Sequence, residues 1–292
     1  MPTHARDDYP GGRAVPASRT AQDRNVDDEL NGTNGGRSRD FVQSLERGLA
    51  IIRVFNSARP SMTVSEIAQE VGLTRAAVRR FLLTLGELGY VYGKNNRFEL
   101  TPRVLELGYA YLSALSFPDI ALPRLEQLVV ETAEASEGSI LDGGDVVYVV
   151  RVPGPALMTI SVNIGARRPA HATAMGRVLL AHLPPADLDA YLDTYELVPV
   201  LPRTITDPDE FRAELERVRA DGYALVNQEL EEGLVAIAVP VRDRTGRVRA
   251  AINLSTHIGR KSVKDMRALV PAVRAAAADI EVGLKNSLNW SD

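Results

Sequence analysis

Three features of the sequence predict an α+β chain of two unequal domains. Two short helical periodicities meet at Gly72-Leu73-Thr74 and run into an alternating stretch around Gly93-Lys94-Asn95-Asn96. Hairpin links at Asp142-Gly143-Gly144-Asp145 and Asp243-Arg244-Thr245-Gly246 join strand patterns in the second half. Strands, helices, strands and a last helix follow one another there, the order of a largely antiparallel sheet with helices packed across it. With 292 residues, 45% of them hydrophobic, the chain has the length and apolar content for two cores.

Composition narrows the rest. Residues 1–40 are rich in Gly, Pro, Asp, Asn and Arg and poor in aliphatics, too little apolar surface to offset chain entropy, so a disordered tail is expected there. Residues 289–292 are set aside as a second tail. No apolar run approaches a membrane span and the N-terminus lacks a secretory stretch, which predicts a soluble, cytoplasmic protein with no membrane partner. The absence of cysteine excludes disulfides, thiolate zinc sites and a cysteine nucleophile. The net charge of −4 is unevenly spread: residues 41–100 hold eight Arg or Lys against five acids, so positive charge gathers in one module.

That module, residues 41–101, has the pattern of a winged helix-turn-helix. Leu45, Leu49, Ile52 and Phe55 recur at helical spacing in a supporting helix over 44–56. Val64, Ile67, Ala68 and Val71 repeat it in a shorter helix opened by Thr63 or Ser65, with Glu66 in its first turn, and ended by Gly72. Thr74 caps the next helix, which turns Val78, Phe81, Leu82, Leu85 and Leu88 inward and leaves Arg75, Ala76 and Arg79 outward. Residues 90–92 and 97–100 alternate as strands, and Asn tolerates the positive φ of a tight hairpin. A second helix with arginines at its start suits insertion into a major groove N-terminus first. The candidate DNA contacts are therefore Thr74, Arg75, Ala76, Arg79 and Arg80, with Lys94 and Arg97 touching the backbone from the wing. The alternative is a small domain whose solvated charges serve protein contact.

Residues 102–117 read as a linker helix begun by Thr101-Pro102. Leu105, Tyr109 and Leu112 lie on one side and Val104, Leu107, Tyr111 and Leu115 on another, so it needs two covers; a second subunit is one, burial within its own chain the alternative. Phe117-Pro118 marks the start of the second domain, 118–288. Strands are expected at 139–141, 146–150, 157–164, 223–227, 235–241 and 248–254, and helices at 173–181, 186–195 and 208–220, the last framed by Asp207 and Gly222. A final helix from Ser262 contains Pro271, which must kink it or delay its start.

Two polar groupings in this domain point to a ligand. Arg167, Arg168 and His171 lead up to a helix starting at Thr173, where free N–H groups, the helix dipole and a guanidinium favour a small acid; exposed loop charges are the alternative. Asn253, Ser255 and His257 alternate on one strand face, which meets either solvent or a polar cavity. The acidic loop with Glu229, Glu231 and Glu232 has no histidine at ligand spacing, so it is read as solvated charge and no metal is expected. No base and nucleophile pair with one another, and Gly143-Gly144 lacks a following phosphate-binding lysine. No catalytic residue and no cofactor are assigned. The rival readings are an enzyme acting on a small organic acid with an accessory winged helix, and a protein-interaction module.

Five blocks in order carry a resemblance: residues 41–49 (FVQSLERGL), the helix-turn-helix, Pro169 to Arg177, residues 227–238 (NQELEEGLVAIA) and residues 253–257 (NLSTH). Over about residues 41–288 the chain resembles the IclR family of bacterial regulators. The resemblance implies a winged helix, a linker helix and a GAF-like effector domain of mixed sheet with packed helices. It further implies binding to a double-stranded DNA operator as a homodimer or dimer of dimers, modulated by a small organic acid. The last two blocks are similar to the branch that regulates aromatic-acid breakdown through protocatechuate and β-ketoadipate, which implies an aromatic or dicarboxylic acid effector. Pocket positions carried over by these blocks are Leu157, Ile160, Arg168, Ala174, Met175, Ala236, Asn253 and Ser255. Arg168 replaces an aliphatic residue common in relatives, and Val235-Ala236 replaces a common Arg-Ser pair, which moves the expected cationic contact across the cavity.

Overall fold

The computed structural model describes residues 40–56, 58–112, 116–154 and 163–285. Both expected tails, except Asp40, and most of the strand expected at 157–164 lie outside the described residues; Asn163 and Ile164 themselves are not strand. The chain divides between Ser113 and Ala114 into two compact units.

The first unit holds α1 (Gln43–Arg53), β1 (Ser61–Thr63), α2 (Val64–Val71), α3 (Arg75–Glu87), β2 (Val91–Lys94), β3 (Arg97–Leu100) and α4 (Leu105–Leu112). Thr63 and Glu66 form a reciprocal capping box on α2, the Thr63 N–H donating to Glu66 Oε2 at 2.6 Å. Gly72 ends the helix in the left-handed region at φ 66°, and Thr74 Oγ1 accepts from the Ala77 N–H at 3.2 Å to start α3. Asn95 and Asn96, at φ 51° and 61°, make the two-residue turn between β2 and β3, so the hairpin tip is tighter than the four residues Gly93 to Asn96. β1, missed in the sequence, completes an antiparallel sheet in the order β1-β3-β2. Ile51, Met62, Ile67, Val78, Leu82, Leu85 and Val91 form the core. Leu45 and Leu49 of the supporting helix, and Leu88, read as inward-facing, are exposed instead. Leu105 and Leu107 of the linker helix are exposed as well.

The second unit begins with α5 (Ser116–Thr132), whose first turn contains Phe117-Pro118. Then come β4 (Ser136–Asp142), β5 (Asp145–Val152), β6 (Arg167–Pro169), α6 (Ala174–Ala181), α7 (Pro185–Thr194), α8 (Pro208–Asp221), β7 (Ala224–Asn227), β8 (Leu234–Arg242) and β9 (Val248–His257). The last two helices are α9 (Val263–Ala268) and α10 (Val270–Lys285). The six strands are ordered β6-β5-β4-β9-β8-β7, and every described pairing is antiparallel. Pro271 does delay the final helix: α9 stops at Ala268 and α10 restarts with the proline in its first turn.

The sheet is covered on both faces, which is why the run 234–239 is wholly buried. α5 and α10 pack on one face; α6, backed by α8, packs on the other. Tyr148, Val146, Ala236, Ala238 and Ala251 join Ala174, Met175 and Val178 of α6 in one core cluster. No helix of the described residues is long and apolar enough to cross a membrane.

Candidate functional site

In the first unit the Thr74 cap and the buried Val78–Leu82–Leu85 side fix which face α3 presents outward. That outward face carries Thr74, Arg75, Ala76, Arg79 and Arg80, all exposed, and the three arginines make no ion pair among the described residues. Lys94 is exposed at the end of β2, next to the Asn95-Asn96 turn. Arg97 differs from the sequence expectation of a free wing contact. Its Nε donates to Ser61 Oγ at 3.1 Å, a terminal nitrogen reaches the Ser61 carbonyl, and Glu66 stands 3.9 Å away, so the guanidinium ties β3 to β1.

In the second unit one face of the sheet gathers most of the expected ligand positions. Arg168 on β6 pairs with Val146, Ala236 on β8 with Ser255, and Ala238 with Asn253; these residues share the side covered by α6. Ala174 and Met175 face them from the first turn of α6, both buried. Leu157 and Ile160 lie outside the described residues.

The anion site expected at the start of α6 is differently built. Arg167 is neutralised by Asp142 and Asp145, its Nε 3.1 Å from Asp145 Oδ2. His171 is buried, its Nε2 2.9 Å from the Val198 carbonyl and its ring edge-on to Phe211 at 6.4 Å. Burial holds its pKa below the usual histidine value. Thr173 Oγ1 accepts the Gly176 N–H at 3.0 Å, so the helix terminus is already capped. Of the three cations and near-cations, Arg168 alone stays half-buried on the ligand-side face, giving a hydrogen bond to the Arg167 carbonyl at 3.1 Å.

The acidic loop is likewise not all solvated. Glu229 turns inward onto Arg177, while Glu232 is exposed. His257, expected to share the polar face with Asn253 and Ser255, is exposed at the strand end. Among the described residues no group of three or more His, Cys, Asp or Glu is placed to hold a metal ion.

Sequence reasoning missed the centre of the polar face. Glu137 on β4 sits opposite Arg151 on β5; its backbone N–H donates to Asn253 Oδ1 at 2.7 Å, and Ser255 Oγ donates to its carboxyl at 3.2 Å. Burial raises the Glu137 pKa, against hydrogen bonds from Asn253 and Ser255 and the charge of Arg151. Tyr148, beside it, is raised by burial and by the Glu137 charge. Ser139 Oγ and Arg151 Nε are buried without a hydrogen-bond partner among the described residues. A carboxylate flanked by small residues in SEGSIL was the available signal, but the Asn253 that meets it lies 116 residues on.

Comparison with known proteins joins the two units. Residues 44–94 match the IclR helix-turn-helix domain, and residues 109–282 match the bacterial transcriptional regulator IclR C-terminal domain. The chain is 39% identical over 243 residues to the Pca regulon regulatory protein of Pseudomonas putida, covering 82% of this chain and 84% of that one. It is 36% identical over 229 residues to the p-hydroxybenzoate hydroxylase transcriptional activator of Acinetobacter baylyi, covering 77% and 84%. An IclR homolog from Microbacterium hydrocarbonoxydans, crystallised with 4-hydroxybenzoate, superposes with a TM-score of 0.75 at 27% identity, over 84% of this chain and 100% of that one. These relatives are named as regulators, not enzymes, which removes the rival enzyme reading. The exposed face of α3 thus belongs to a DNA-binding helix-turn-helix, and the chain is a member of the IclR family of bacterial transcriptional regulators.

Proposed function

We propose that this regulator grips a double-stranded operator with Thr74, Arg75, Ala76, Arg79 and Arg80 in the major groove and Lys94 on the backbone, and that a small aromatic or dicarboxylic acid controls the grip. The observation that carries the DNA contact is the set of three exposed arginines on α3 that have no ion-pair partner among the described residues, opposite the buried Val78–Leu82–Leu85 side. Exposed charges without an ion pair are available to phosphate and to guanine edges.

The acid is assigned to the α6 side of the sheet, where Arg168, Asn253, Ser255, Ala236, Ala174 and Met175 surround polar groups with unused hydrogen-bonding capacity. The relative crystallised with 4-hydroxybenzoate supports an aromatic acid. The working form is a cytoplasmic homodimer or dimer of dimers: Val42, Leu45 and Leu49 form an exposed apolar stripe along α1, with Leu105 and Leu107 exposed on α4. Two copies present two recognition helices to paired half-sites.

Gel-shift titration with the DNA upstream of this gene and of its neighbours, with and without aromatic acids, tests the proposal. Salt-dependent binding that one such acid shifts is the expected result; acid-insensitive binding overturns the effector assignment.

A further inference from the structure

We infer that Glu137 decides which acids the effector face accepts, its buried carboxyl receiving a hydroxyl of the ligand while Arg151 and Ser139 receive the ligand's carboxylate. The inference rests on the effector reading above and refines it to a hydroxylated monocarboxylic acid, in preference to a dicarboxylic one.

Asn253 and Ser255, the polar residues expected to meet the ligand, are engaged by Glu137. Asn253 Oδ1 accepts its backbone N–H at 2.7 Å, and the Ser255 hydroxyl lies 3.2 Å from one carboxyl oxygen and 3.5 Å from the other. Their effect is to fix the Glu137 side chain on the face covered by α6. A carboxylate offers about four lone-pair sites, and these neighbours leave part of that capacity unused. Donors wait on the same face: Arg151 is the cross-strand neighbour of Glu137, and its Nε is buried and unpartnered among the described residues. Ser139, two residues along the same side of β4, is fully buried with its hydroxyl also unpartnered. Buried donors without partners are uncommon in a folded interior, and a guanidinium beside a hydroxyl suits a carboxylate.

The acceptor next to these donors sets the discrimination. A ligand hydroxyl can donate to Glu137 in either protonation state. A second ligand carboxylate meets a like charge and cannot approach until Glu137 takes up a proton.

Calorimetric titration of the full-length protein with benzoate, 3-hydroxybenzoate, 4-hydroxybenzoate and terephthalate tests this. In the wild type one hydroxybenzoate should bind at least about 10-fold more tightly than benzoate and terephthalate. Glu137→Leu should bring hydroxybenzoate and benzoate to within about twofold while benzoate binding persists, and Glu137→Gln, which keeps a carbonyl acceptor, should retain part of the preference and gain terephthalate. The wild-type ratios stand even if a variant fails to fold. Binding without hydroxyl preference in the wild type, or a preference that survives in Glu137→Leu, overturns the role of Glu137 alone. A wild type that binds none of the four acids overturns the effector reading and this inference with it.

Discussion

Arg177 and Glu229, 52 residues apart in sequence, meet in the interior as a two-pronged ion pair, Nη1 standing 3.1 Å from Oε1 while Nη2 closes on Oε2. Arg177 is 1% exposed; its Nε donates to the His171 carbonyl at 2.9 Å, and it lies over the Phe211 ring. The acidic loop is thereby fastened to α6, with Thr204 Oγ1 donating to the Glu229 carbonyl at 2.7 Å. Removing one partner strands a buried charge, a loss of about 3–5 kcal/mol in comparable cases, and Glu214 at 3.7 Å compensates part of it. Glu229→Gln should therefore destabilise the second unit by about 3 kcal/mol, whereas Arg177→Met with Glu229→Leu should cost much less. Urea melts followed by circular dichroism check the difference; a Glu229→Gln midpoint equal to wild type would show a solvated loop.

Gly176 lies one residue before this arginine, where the turn 170–172 presses on α6. A Cβ there would stand 2.1 Å from the Ala170 carbonyl oxygen and 2.5 Å from its Cα, and backbone cannot swing aside as a side-chain tip can. Helix propensity alone favours Gly176→Ala by up to about 1 kcal/mol. Overpacking against backbone outweighs that, so Gly176→Ala should lose about 3 kcal/mol net, measured as a lowered thermal midpoint. A gain in stability would mean that the turn yields freely.

Local signals explain what was legible in the sequence. Thr63 with Glu66, Gly72, Thr74, Asp207, Gly222 and Ser262 act within one helical turn of themselves, and the helices begin or end where those residues stand. β1 and β6 escaped because three-residue strands hold too little alternation to register, and each exists through a distant partner, Phe98 for Met62 and Val146 for Arg168. Arg177 could have been found: a lone cation in the apolar helix AMGRVLLA must be paired if buried, and the acidic run 229–232 supplies the charge. Glu137 offered only the weak signal of SEGSIL, since the Asn253 and Ser255 that hold it lie more than a hundred residues on.

On α3 and the wing, two arginines predicted to act alike should separate. Arg79 is exposed and unpaired among the described residues, so Arg79→Ala should weaken operator binding by about 1–3 kcal/mol and leave the melting temperature unchanged. If its contact is a phosphate, the slope of log K against log salt falls by about 1. Arg97 is held by Ser61, so Arg97→Ala should lower stability by about 1 kcal/mol and affect DNA less than the Arg79 change does. Gel shifts over a salt series, with melting curves for each variant, decide it; equal losses of affinity would place Arg97 at the DNA.

His171 gives the second unit a dependence on pH. Burial, aided by the Arg177 charge, lowers its pKa from 6.5, while the Val198 carbonyl, Glu229 and Asp145 pull the other way. With the folded pKa depressed, the unfolded chain binds more protons between the two values. The stability gained by burying the neutral ring is therefore present above 6.5 and lost as pH falls toward the folded value. His182, also lowered by burial, acts in the same direction, and the raised Glu137 acts in the opposite one, losing stability as pH rises above 4.5. Both persist in a His171→Gln variant, whose amide can still donate to the Val198 carbonyl, so comparison with wild type isolates the imidazole. Between about pH 7.5 and about pH 5.5 the melting temperature of the wild type should fall more steeply than that of His171→Gln, as read by scanning calorimetry. Parallel profiles would mean that the ring is protonated as readily in the folded protein as in the unfolded chain, through water reaching it past Val198.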